Sequence, residues 1–403
     1  MEITRKHNSA HPTRSGRNGN IDLMRFVFCL IIILYHINNR LDLNPPFGLS
    51  EKYFSFCGEG RIGVEFFFIV SGYLLAVTAK KNYSTNSIAA STKSFMYRKT
   101  MSIFPYHMFG YIVGVALWFH FYSMPNTRAA IEKLLNMIPG FFLLQKSGIY
   151  SEEVMSAEWY LGAMLIAMLI VYPLVLKYQD KFTKIFAPVF TIIIIGYLSH
   201  ATGKLGGTNA FVFNSTVSKA YLRAFTEICA GTFCYEVASR LKKIKFNIFE
   251  RVLLTLAELG CYALPIIFAF SSFDQKYEIY AFYSLTIAIT LSFSDVGLLN
   301  SLLKNKFVYF LGNASLYVYL AQNLAFFFMK KTFASYPLGK KILFTFAVDF
   351  AFAVAIKIVG DIIKKFTDKN CTHSKPKRLH NPNTPQRIRG VFFCDFIFKF
   401  IFL

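Results

Sequence analysis

Three ionisable residues interrupt runs that would otherwise be continuous hydrocarbon. Arg25 and His36 bracket ten apolar or near-apolar residues in "RFVFCLIIILYH", with Asp22 just upstream, and Glu65 stands in "GVEFFFIVSGY". An imidazole can take and return a proton near neutral pH. A carboxylate beside it can hold its tautomer and stabilise the imidazolium. Arg25 and His36 are eleven residues apart, close to three helical turns, so they share one helix face about 16 Å apart along the axis. Two readings of Arg25 stand, a side chain snorkelling to headgroups or one facing a partner. Glu65 either reaches water at the outer surface or serves His36.

The elements that position these residues are membrane helices. The 403 residues are 54% hydrophobic and 18% aromatic with only 16% charged, against about a quarter charged in soluble domains. Ten apolar segments near the length a bilayer requires follow one another at 21–39, 62–79, 101–122, 159–176, 185–200, 219–238, 252–271, 279–295, 308–329 and 342–360. The expected fold is therefore all-α, a polytopic membrane helix bundle of about ten transmembrane helices. Lys and Arg number 19 in the segments on the side of the N-terminus and 12 on the other, with nine more in the C-terminal tail. That bias puts both termini in the cytoplasm. The organisation expected is a basic tail at 1–20, a membrane domain at 21–360, and a basic, disordered tail at 361–403 that ends in an aromatic segment.

A net charge of +22 would suggest nucleic acid in a soluble protein. Here the cations lie in short connections and tails, which points to topology and anionic lipid, with no nucleic-acid partner. The seven cysteines form no CxxC pair, so neither a structural disulfide nor a metal site is expected. The longest outer connection, 123–158, contains "LLNMIPGFFLLQ", too short to span and broken by Pro-Gly, which reads as interfacial or re-entrant.

Other polar groups carry two readings each. Arg98 and Lys99 precede Pro105 at a cytoplasmic mouth, either as positive-inside anchors or as a site for a phosphorylated cosubstrate. Trp159 and Tyr160 open the fourth span, as aromatic belt or as a sugar-stacking face. Ser71 with Gly72 reads first as a close helix contact. Arg223 and Glu227 at i,i+4 can pair inside the bundle, and Asp349 has no evident local partner.

Taken together, the segments resemble the acyltransferase 3 family of bacterial integral-membrane O-acyltransferases. "IDLMRFVFCLIIILYH" looks like its first-span Arg–His motif, and "GVEFFFIVSGYLL" like its glycine–acid–Phe-Phe–Ser-Gly motif. "YRKTMSIFPY" is similar to its basic, aromatic-Pro-aromatic motif. "EWYLGAMLIAMLIVYPL" and "LGNASLYVYLAQN" resemble its Trp-aromatic-leucine and late spans. The chain departs from the pattern at Ser102, where a second arginine is usual, at Gln322 in place of a histidine, and at Gly162 in place of a serine.

The resemblance implies acyl transfer from cytoplasmic acyl-CoA, usually acetyl-CoA, to a sugar hydroxyl of a surface polysaccharide or lipid-linked glycan, in the inner (cytoplasmic) cell membrane. No bound cofactor is expected, since acetyl-CoA is a cosubstrate. On this reading His36 and Glu65 are catalytic, Arg25, Asp22, Arg98 and Lys99 bind the donor, and Trp159 and Tyr160 bind the acceptor. Two competing classes keep the same residues without the chemistry. One is a transporter or flippase with the intramembrane charges on its path; the other is a sensor or structural partner.

Overall fold

Local signals set where helices begin and end. The structure is a computed structural model; it describes residues 17–372 except 42, 44–49, 84–86, 150, 152–153 and 209, with side chains to residue 367. Helix α1 spans Gly19–Leu41, α2 Ile62–Lys81, α3 Ile88–Met101, α4 Phe104–Phe121 and α5 Thr127–Phe141. Then come α6 at Trp159–Lys181, α7 at Ala187–Thr202, α8 at Lys219–Leu241, α9 at Ile248–Ala269 and α10 at Glu278–Ser294. The short α11 at Leu299–Leu302 leads to α12, Lys306–Lys331, and α13, Leu338–Thr372. Side-chain oxygens of Ser87, Asn126, Asn247 and Asn305 accept from backbone amides that open α3, α5, α9 and α12, which would otherwise be unpaired. Gly203, at φ 68°, ends α7 in the left-handed conformation a glycine adopts without strain.

All ten apolar segments coincide with helices, and the architecture is an all-α bundle. Among the described residues the extended structure in strands is one short hairpin, Phe211–Val212 against Val217–Ser218. By length and hydropathy, five helical stretches are able to cross a membrane, and a sixth if α3 and α4 form one span bent by 43°. One of the five is continuous from Ser156 to Thr202. The expected loop at 177–184 is thus helical. The chain turns there at Gln179, whose φ of 42° is non-helical, and through a π-helical turn at Phe182–Phe186.

Helix α13 also continues to Thr372, so residues 361–372, expected as the start of the disordered tail, are helical. Residues 1–16 and 373–403, which hold most of the N-terminal tail and the aromatic end segment, lie outside the described residues.

Two features of packing place the site. Helices α2 and α8 lie backbone to backbone: a Cβ on Gly72 would strike the Ile228 carbonyl, and one on Gly231 the Ile69 carbonyl. Helix α5 runs back alongside α4. Lys133 lies over Trp118, the Met137 carbonyl accepts from Tyr111 Oη at 2.6 Å, and the Phe141 carbonyl lies 3.0 Å from His107 Nε2. The connection 123–158 therefore descends from the end of α4 almost to its start. It rises and enters the bundle again, where Met155 fills the space left by Gly110 and Gly114.

Candidate functional site

Two neighbouring cavities open near the start of α1. The first, about 270 Å³, is lined by Arg25, Ser71, Lys99, Tyr160, Asn313 and Tyr319, among others. The second, about 540 Å³, shares Arg25 and Asn313 and adds Arg17, Lys242 and Lys304. Arg25 faces the first because it lies one turn into α1 from buried Asp22, whose carboxylate it meets at 3.3 Å. Asp22 is not Arg25's alone, since Arg17 Nε donates to it at 2.8 Å. Gly312 of the late "LGNAS" motif is what admits this carboxylate, because a Cβ there would overlap Asp22.

Lys99 closes the same cavity from the end of α3. It has no carboxylate within salt-bridge distance among the described residues. Arg17 and Arg25 thus share one carboxylate while Lys99 has none among the described residues, and the first cavity, lined by Arg25 and Lys99, keeps an excess of positive charge. A part-buried excess of this kind is costly when empty and favours an anionic ligand. Of the expected basic pair only Lys99 faces the cavity. Arg98 is exposed and hydrogen-bonds Ser94, because adjacent residues on a helix point about 100° apart. Ser102, at the position where the family pattern has its second arginine, lines the cavity as well. Its hydroxyl donates to the Lys99 carbonyl at 2.6 Å and so ends α3.

His36 lies near the other end of α1, half-buried, with its ring 5.2 Å from Tyr35 and 6.1 Å from Phe326 of α12. Glu65 does not join it. The Glu65 carboxylate is fully buried and receives Arg223 Nη2 of α8 at 3.3 Å, while Arg223 Nε donates to Glu227 at 2.8 Å. The reason is helical phase. Gly60 and Gly63 let the start of α2 approach the Ile31 and Phe28 carbonyls of α1. Glu65, two residues beyond Gly63, is turned about 200° away toward α8. The expected catalytic pair is replaced by a buried ion triad that joins α2 to α8.

The aromatic pair is also displaced from its expected place. Tyr160 is buried in the cavity with Arg25, edge-on to Phe68 and to Tyr319, each at 5.3 Å. Trp159 is half-buried against Phe68 at 6.1 Å. Both lie deeper than an outer boundary because α6 begins inside the bundle, where the returning connection delivers it. Tyr319 Oη donates to the Ala157 carbonyl and anchors that delivery.

One pair was missed by sequence reasoning. His107 Nδ1 lies 2.7 Å from Glu158 Oε2, both side chains wholly buried, and His107 Nε2 reaches the Phe141 carbonyl at 3.0 Å. This clasp ties α4, the end of α5 and the start of α6 at one point. The available signal was an ionisable residue at the edge of each of two apolar runs, since such groups need partners. Glu158→Ala should lower stability by about 3 kcal/mol by stranding a buried imidazole. Thermal unfolding of the purified variant checks this, and a midpoint equal to wild type would refute the clasp. Asp349 of α13 is buried, with neither carboxylate oxygen hydrogen-bonded among the described residues.

The model of one protein family, described as an acyltransferase domain, matches residues 18–360. No curated protein and no solved structure matches the chain.

Proposed function

The chain belongs to this acyltransferase 3 family and is a multi-pass membrane acyltransferase, and we propose that it moves an acyl group, acetyl in the first instance, from acyl-CoA to a sugar hydroxyl. The acceptor is a surface polysaccharide or a lipid-linked glycan, and the protein works in the cytoplasmic membrane. The observation that carries this reading is the excess positive charge of the Arg25–Lys99 cavity. A donor bearing phosphates and a thioester on a long, thin arm suits it. The Lys/Arg bias supports a cytoplasmic position for this end of α1, the side where acyl-CoA is found.

In the proposed reaction Arg25, held by Asp22, and Lys99 bind the donor, and Tyr160 and Tyr319 border the path of its arm. His36 takes the proton of the acceptor hydroxyl. The alkoxide oxygen attacks the thioester carbonyl, the carbon–sulfur bond breaks, and the departing thiolate receives the proton from His36. The products are an O-acyl sugar and free coenzyme A thiol. Glu65 has no part in this scheme, because its carboxylate is committed to Arg223.

Lys99→Met should raise the KM for acyl-CoA about 10-fold, which corresponds to about 1.4 kcal/mol, with kcat changed far less. Arg25→Lys, which keeps charge but loses the planar fork, should act in the same direction. Steady-state kinetics in proteoliposomes tests both. Donor KM values equal to wild type would return the two residues to lipid anchoring.

A further inference from the structure

Beside His36 lies a cation with no carboxylate partner among the described residues. Arg40 is one turn further along α1, half-buried. Its guanidinium donates to the His36 carbonyl at 3.0 Å and lies 4.0 Å from the centre of the Phe326 ring. The His36 imidazole packs against the same ring at 6.1 Å. Arg40, His36 and Phe326 therefore form one surface, with the guanidinium held in a fixed place on it.

The other arginines that are not exposed show what is missing. Arg17, Arg25, Arg61 and Arg223 each have a carboxylate within 3.3 Å. Arg251 instead donates to two carbonyls, of Val296 and Gly297. Among the described residues Arg40 meets no acid and a single carbonyl from its own helix, so most of its five donors have no protein partner there. An arginine that only anchors a helix end extends its head toward headgroups. Arg40 is folded back onto the preceding turn and held over an aromatic face, which fixes its fork beside the imidazole.

We propose that Arg40 is an acceptor-binding residue and that the natural acceptor is an acidic glycan. On this reading an oxyanion of the acceptor, a sugar carboxylate or a linking phosphate, binds the free edge of Arg40. That contact sets a nearby hydroxyl against His36. The reading rests on His36 as the base, and its test uses binding so that it stands apart from turnover.

The full chain in nanodiscs is titrated with three probes: a uronic-acid oligosaccharide, the same oligosaccharide with its carboxylates reduced to alcohols, and a neutral oligosaccharide on a polyprenyl diphosphate. Wild type should bind one or both anionic probes at least about 10-fold more tightly than the neutral one, a difference typical of a charge-assisted contact. Which anionic probe wins identifies the source of the oxyanion. Arg40→Gln should remove that preference, and Arg40→Lys should restore part of it. Equal binding of all three probes by wild type, or a preference that survives in Arg40→Gln, overturns the proposal. A chain that shows the Arg40-dependent preference but transfers no acyl group would contradict the proposed reaction and leave this assignment standing.

Discussion

His36→Ala is expected to lower acyl transfer by roughly 10²–10⁴-fold, the range for loss of a general base, while the protein still folds. The ring makes aromatic contacts with Tyr35 and Phe326 and is only half-buried, so its removal opens little space in the core. Thermal unfolding should therefore stay near wild type. The KM for acyl-CoA should hold as well, because the Arg25–Lys99 cavity lies about three helical turns away along α1. His36→Gln is the sharper variant, since it keeps most of the volume and polarity but cannot cycle a proton. The expected combination is a collapse of kcat with donor KM and stability preserved. Near wild-type kcat in either variant would remove His36 from the chemistry.

Arg223→Met is expected to cause the largest loss of stability, about 3–5 kcal/mol, because it leaves two carboxylates, Glu65 and Glu227, buried without a cation. The triad sits in the contact between α2 and α8, where reciprocal glycines already bring the backbones together, so there is little room for water to replace the guanidinium. Neutralising both acids should reverse the effect. The triple variant Arg223→Met, Glu65→Gln, Glu227→Gln should recover most of the lost unfolding midpoint, since well-packed neutral residues often match a buried ion pair. A single variant as stable as wild type would show that the triad does not join the two helices. A triple variant no better than the single would show that the loss came from packing rather than stranded charge.

The helices were legible in the sequence and their depth was not. Runs of about twenty apolar residues must pair their backbone groups internally in lipid, which dictates helices, and capping residues such as Asn247 with Glu250 mark the ends. The segment 123–158 read as interfacial or re-entrant, and the sequence did not choose between the two. Its helix α5 is only 15 residues long and its return into the bundle depends on contacts with α4, which no local pattern encodes. Tyr160 followed it, and was expected at a boundary when it lies beside Arg25.

The site was legible where chemistry and spacing agree along one element. Arg25 with Asp22 on α1 is such a case, as is the Arg223–Glu227 pair on α8. Contacts between elements were harder. Glu65 was assigned to His36 by depth alone, and the glycines at 60 and 63, which set the phase of α2, decide against it. Arg98 and Lys99 were equivalent as neighbouring cations until the end of α3 turned one of them outward. The His107–Glu158 clasp joins residues far apart in the chain and required the fold itself.

The proposed reaction passes an acyl group from acyl-CoA to a glycan with His36 as the base. It is tested most directly by proteoliposomes holding the purified full chain, with radiolabelled acetyl-CoA on the side of the α1 start and glycan on the other. Label should become covalently attached to the glycan, be released by mild alkali as expected of an O-ester, and be absent with His36→Ala. Glycan that crosses the membrane without acquiring label would contradict it and identify a transporter instead.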